Sequence, residues 1–389
     1  MWGFVVVQHV LVAPDKFKGS LTAAEVASRV SAGLGVPTVE LPVADGGDGT
    51  VEAAVAGGFT RVTIEVTGPT GERIPASYAW QPGSADAVVE LAEASGLRRL
   101  PGGLQPLTAT SHGTGELIAD ALRRGARRVV LGLGGSACTD GGAGMAQALG
   151  ARLLDAEGGD LPPGGAALRS LDRIDMSGFV DIAGVEFVVA SDVDNPLLGP
   201  HGAAAVYGPQ KGATPEDVKT LEAGLSRLAA VATATHGLMG AVEHDDVPRA
   251  MGVAGAPGAG AAGGVGFAAL AFLHAEIRPG IDYLLDLLGF GEQVEGARLV
   301  ITGEGSLDEQ SLRGKAPIGV AQAAAKAGVP VVAVCGRRTL TDAELKAAGI
   351  EAAYALTDLE PDPARCMAEA GPLLERLAAR LASVHLAGA

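Results

Sequence analysis

Aromatic residues are scarce in this 389-residue sequence, at 4%, so its 48% of hydrophobic residues must pack mainly as Leu, Val and Ala. Cysteine is scarcer still. Cys138, Cys335 and Cys366 are widely spaced, odd in number and without any CxxC pair or Cys/His cluster. That argues against a disulfide scaffold and a structural zinc site, and fits small buried thiols in a reducing cytosol. A basic excess is missing too: the formal net charge is −16, so no cationic field is present to displace counterions from a nucleic acid. Long apolar runs are absent. The Ala/Gly-rich stretch from Gly258 to Leu273 is shorter than the ~20 residues a membrane span needs, and reads as a buried glycine turn feeding a helix. The patch from Met1 to Val12 has no basic flank and runs straight into a strand. Neither a membrane nor a nucleic acid is expected as partner, and the chain reads as cytoplasmic.

Glycine is what the sequence has in excess, at 58 residues. The glycines follow no collagen-like period; they gather at the ends of apolar runs, as turns and ligand loops require. The recurring unit is a short β-branched run, a glycine- or acid-rich turn, then an Ala/Leu helix. His9 to Ala13, Arg128 to Leu133, Glu186 to Ala190, Arg298 to Thr302 and Val329 to Val334 are the apolar runs. Thr22 and Glu25 fit a capping box that opens a helix over Thr22 to Leu34. Strands that alternate with helices predict a parallel α/β sheet, buried on both faces. Length predicts two domains. Glu65 to Trp80 differs, reading as an antiparallel pair around a Gly-Pro-Thr-Gly turn and as the passage between two lobes. Gly252 to Gly266 reads as a loop near the return crossing.

Five turns can carry chemistry, each after a strand, at the edge where open α/β sheets bind ligands. In the first, Asp15 to Ser20, Lys16 and Lys18 can neutralise phosphate charge and helix-end amides can bind an anion. In the second, Asp45 and Asp48 stand three residues apart among Gly46, Gly47 and Gly49, which suits a hydroxylated substrate or a hydrated magnesium ion. The third, Gly132 to Gly142, matches G-x-G-x-x-A, with Asp155 about 20 residues on, as a dinucleotide site would. Its longer glycine run and the polar Ser136, Thr139 and Asp140 fit a phosphate cradle better. The fourth, Ser191 to Gly199, offers Asp192, Asp194 and Asn195. The fifth runs from Thr302 through Gly303, Glu304, Gly305, Ser306 and Asp308 to Ser311, followed by Arg313 and Lys315. No GxxxxGK[ST] and no protein-kinase HRD or DFG set occurs, so a phosphotransferase here would follow another plan.

In order, these stretches resemble the type-1 glycerate kinase family: APDKFKGSLTAAEVA, PVADGGDGT, VTGPTGE, GLGGSACTDGGAGM, SDVDNPLLGPHGAAAVYGPQKGA, GAAGGVGFAAL and TGEGSLDEQSLRGKAPIGVA, with VPVVAVCGR beyond. The resemblance implies transfer of the ATP γ-phosphate to D-glycerate with Mg2+, giving a phosphoglycerate, usually 2-phosphoglycerate. It implies two lobes of mostly parallel sheet flanked by helices (Rossmann/flavodoxin-like) around an active-site cleft. One lobe would be discontinuous, residues 1–75 with 290–389, and the other inserted, residues 76–289. A homodimer is compatible with it. Lys16 stands where many relatives have serine and Asp48 where many have glutamate; Ser306 and Ser311 also vary, and Met1 to Gln8 is extra. Magnesium and the nucleophile are expected at Asp45, Asp192 and Asp308, with Asp192 accepting the substrate proton. Lys16, Lys18 or Lys315 would offset phosphoryl charge. The Gly134 and Gly135 amides, with Ser136 and Thr139, would cradle either a phosphate or the glycerate carboxylate. A kinase of another small hydroxy acid and an NAD-binding oxidoreductase are the alternatives.

Overall fold

The computed structural model describes residues 8–236, 242–244, 247–249 and 252–387. The extra segment expected at Met1 to Gln8 lies outside them, save for Gln8. The chain divides into two compact units, Met1–Asp45 with Glu52–Phe59 and Pro279–Ala389, and Gly46–Val51 with Thr60–Arg278. Each carries its own sheet and its own core.

In the first unit, Val10 to Ala13 are fully buried, as an apolar run covered on both faces must be. The sheet has five parallel strands in the order Ala352–Ala355, Val331–Arg338, Ala297–Leu307, His9–Pro14 and Thr38–Glu40. The expected capping box is present: the Thr22 hydroxyl accepts the Glu25 amide at 3.2 Å, and Glu25 accepts the Thr22 amide at 2.8 Å. The helix it opens, Ala23–Leu34, stops at left-handed Gly35 and packs on the helix Ala370–His385, with Arg29 pairing to Glu375 at 2.6 Å. Val10, Val26, Ile301, Val332 and Leu377 belong to the core these layers enclose.

The Ala297–Leu307 strand corrects one expectation. The run Gly303 to Leu307 is not a turn after the strand but its continuation, with Glu304 opposite Cys335 and Leu307 opposite Arg338. The neighbouring strand likewise runs on through Arg338.

The second unit has six strands in the order Glu276–Arg278, Glu186–Ala190, Arg128–Gly132, Asp86–Glu90, Arg73–Gln81 and Thr60–Thr67. The first four run parallel, and the last two add antiparallel. The expected antiparallel pair is therefore a hairpin, closed by the Gly68 amide on the Glu72 carbonyl at 2.6 Å, and it lies wholly inside this sheet. The glycine stretch near residue 260 enters the buried helix Ala261–Phe272 through three left-handed residues, Ala262, Gly263 and Gly264. The core of this unit gathers Tyr78, Leu117, Met145, Leu225 and Phe267. No helix among the described residues is long and apolar enough to cross a membrane.

Candidate functional site

Strand order in the first sheet reverses at His9–Pro14: the next strand in the chain lies on one side, and Ala297–Leu307 on the other. Ligands of open α/β sheets bind outside the carboxyl ends at such a reversal. Asp15 and Glu304 stand there. The Asp15 amide donates to the Gly303 carbonyl at 2.8 Å, and Gly305 packs against the backbone of Phe17 and Lys18, so the first and fifth turns meet. Burial pushes the Asp15 carboxyl up to about 7 against the pull of Lys16, and the charge of Asp45 raises it further. Burial also raises Glu304, despite Lys315 at 3.7 Å, and its Oε1 is buried without a hydrogen-bond partner. Asp308 is the contrast: burial works against its charge, but the Gln310 amide at 2.9 Å, the Ser306 hydroxyl at 3.1 Å and Lys315 together hold it below the usual carboxylate range. Lys18 is exposed on the turn, while the Ser20 hydroxyl donates to the Phe17 carbonyl at 3.1 Å and closes it.

In the second unit two glycine loops cross. The Gly134 amide donates to the Gly46 carbonyl at 3.2 Å. A methyl on Gly46 would lie 2.2 Å from the Ala190 carbonyl oxygen, and one on Gly134 2.4 Å from the Gly47 Cα. The glycines here thus let backbone lie on backbone, beside any service to a ligand. Glu90, at the end of its strand, accepts the Gly49 and Val51 amides and the Arg98 guanidinium, the last at 3.0 Å. Arg98 also lies 3.6 Å from Asp48, whose Oδ1 is buried without a hydrogen-bond partner. Burial pushes Glu90 up to about 7, opposed by the Val51 amide and helped by Glu93.

A model described as the glycerate kinase family matches residues 10–386. The chain belongs to the glycerate kinase family. It is 44% identical to a Bacillus subtilis protein named glycerate kinase, over 89% of this chain and 90% of that one. It is 43% identical to an Escherichia coli protein named glycerate 2-kinase, over 89% and 90%. The crystal structure of a Salmonella typhimurium LT2 protein, described provisionally as glycerate kinase 2, superposes with a TM-score of 0.82 at 40% identity, covering 98% of this chain and 99% of that one.

Within this glycerate kinase fold several expected site residues take supporting places. Thr139 and Asp140 are fully buried. Asp140 accepts the Ser111 amide at 2.8 Å, the Ser111 hydroxyl at 2.9 Å and the amides of Gly142 and Gly144, so it holds the loop from inside. Gly134 spends its amide on Gly46, which leaves Gly135, exposed, and next to it Ser136, buried and bridged to Gly96. Both ends of the Asn195 amide are engaged, by the His201 carbonyl at 2.8 Å and the Tyr207 hydroxyl at 2.6 Å. Asp192 is exposed just beyond its strand. Glu90 went unrecognised in the sequence, although a carboxylate closing the run Ala87-Val88-Val89 was a usable signal. Buried Lys211 gave none, since a lysine before a glycine reads as solvated.

Proposed function

We propose that this chain transfers the γ-phosphate of ATP to D-glycerate, with 2-phosphoglycerate as product. The observation that carries the reading is identity of 43% to a protein named glycerate 2-kinase across about nine-tenths of both chains. Phosphoryl transfer asks a protein mainly for alignment and charge neutralisation. On the first unit, Lys16, Lys18 and Lys315 offset phosphate charge. Magnesium suits the donors there: Asp45, the ionised Asp308 and the unpartnered oxygen of Glu304 are hard oxygen ligands, and the ion needs only one or two carboxylates. Bound, it would neutralise charge on the phosphates. On the second unit, Gly135 and Ser136 receive an anion, Asp48 a hydroxyl, and Asp192 the substrate proton. A cytoplasmic setting, where ATP and reducing conditions coincide, fits three buried free cysteines.

The NAD reading loses its acid. Asp155 caps its own turn, accepting the Glu157 and Gly159 amides at 3.1 and 2.7 Å, between the short antiparallel strands Arg152–Leu154 and Arg173–Asp175. A ribose-binding acid belongs at the end of the next parallel strand. Thermal-shift titration decides the point: we expect ATP·Mg2+ to raise the melting temperature and NAD to leave it unchanged, with ADP release that depends on glycerate. Stabilisation by NAD alone would overturn the kinase reading.

A further inference from the structure

Lys211 is among the largest side chains sealed in the protein, at 1% exposure. Its ammonium donates to the Cys138 carbonyl and feels the charge of Asp140, while burial draws its affinity for a proton down. Desolvating a cation is costly, and a hydrophobic side chain of the same length would avoid that cost. Packed against the same carbonyl are Ala262 to Gly264, all three left-handed, with Ala262 at φ 53°. An alanine in that region is strained, and such strain persists where the surroundings impose it. Gly263 accepts the Gly141 amide at 3.0 Å, and a methyl on Gly263 would stand 2.2 Å from the Cys138 carbonyl oxygen and 2.9 Å from the Lys211 ammonium. Three segments far apart in sequence, a buried charge and a strained turn therefore converge on one peptide group. That group lies two residues beyond Ser136 in the same loop, where Gly135 is exposed and Ser136 is buried.

We propose that Lys211 is a positioning residue: by fixing the Cys138 carbonyl it sets the path of the Gly132–Gly142 loop, so that Gly135 and Ser136 meet the anionic substrate in register. The carbonyl and the following N–H of a trans peptide point in opposite directions, so holding the oxygen restrains where that N–H can point. Alignment of this kind is where phosphoryl transfer is most sensitive. The inference rests on the kinase reading above.

The test compares wild type with Lys211→Met, which keeps length and loses charge, and Lys211→Arg, which keeps charge. Folding is checked by circular dichroism and melting. We expect folded Lys211→Met to lose about tenfold or more in kcat, with the change in KM kept separate, and Lys211→Arg to recover part of it. A lower melting temperature with kcat and KM within about twofold of wild type would overturn the proposal. If Lys211→Met does not fold, hydrogen exchange on the wild type replaces it. D-glycerate with ATP·Mg2+ is then expected to slow exchange of the amides from Ala137 to Gly144, and unchanged exchange there would overturn the proposal. A wild type that makes no phosphoglycerate refutes the kinase reading instead, and so separates the two failures.

Discussion

Glu90 accepts the backbone amide of Gly49 at 3.0 Å, and the same carboxylate oxygen takes the amide of Val51 at 3.2 Å. A loop expected to handle substrate thus hangs from a side chain buried at the end of a neighbouring strand. Replacing it by glutamine removes either that double acceptor or the oxygen that holds Arg98. We expect Glu90→Gln to lower kcat/KM for glycerate about ten- to hundredfold and to destabilise the protein by ~1–3 kcal/mol, the cost of unpaired buried groups. Steady-state kinetics and urea unfolding measure the two effects; full activity would show that the loop does not depend on this anchor.

Asp15 gives a pH signature with a definite sign. Its folded value, about 7, lies above the ordinary 3.8, so the folded protein favours the protonated form. The associated stability is fully present below pH 4 and is lost as pH rises toward 7. Melting of wild type relative to Asp15→Asn should therefore fall across that window and level off above it. A difference that stays flat from pH 4 to 8 would mean that Asp15 is ionised throughout.

Gly46 tests how closely its loop packs on the end of the Glu186–Ala190 strand. It has a φ of 89°, and an added methyl would meet the Ala190 carbonyl oxygen at 2.2 Å. Gly125 has a similar φ of 91°, with nothing within 4 Å of the added methyl. Gly125→Ala should cost ~1 kcal/mol from backbone strain alone, and Gly46→Ala ~3 kcal/mol or more because backbone must also move. Equal costs in denaturant titrations would remove the packing argument.

Asp192 and Asp15 are the two carboxylates proposed here as proton acceptor, one on each unit. Asp192 is exposed at a strand end, and Asp15 carries a proton affinity near neutrality. We expect Asp192→Asn to lower kcat at least about tenfold, a rate ratio worth ~1.4 kcal/mol. A smaller loss there, with a larger one in Asp15→Asn, would move the assignment to Asp15.

Much of the fold was legible because its signals are local. The Thr22/Glu25 capping box, the fully apolar Val10 to Ala13 run and the turn between the antiparallel strands depend on residues close in sequence. The extension of the strand through Gly303 to Leu307 was not, because glycine and serine have little strand preference; pairing with Val331–Arg338 imposes the conformation. The candidate site divides the same way. Acids and glycines at strand ends were readable as candidates, but whether each serves a ligand or the fold depends on partners far along the chain. Asp140 reaches back to Ser111, and Glu90 to Gly49, and no spacing rule connects them.

Phosphorus NMR follows the proposed phosphoryl transfer itself. The protein is incubated with ATP, Mg2+ and D-glycerate, and the spectrum distinguishes 2- from 3-phosphoglycerate. We expect the γ-phosphate of ATP to decline as a 2-phosphoglycerate resonance grows, only when both enzyme and glycerate are present. A 3-phosphoglycerate signal would correct the position of transfer, and no glycerate-dependent phosphate ester at all would contradict the assignment.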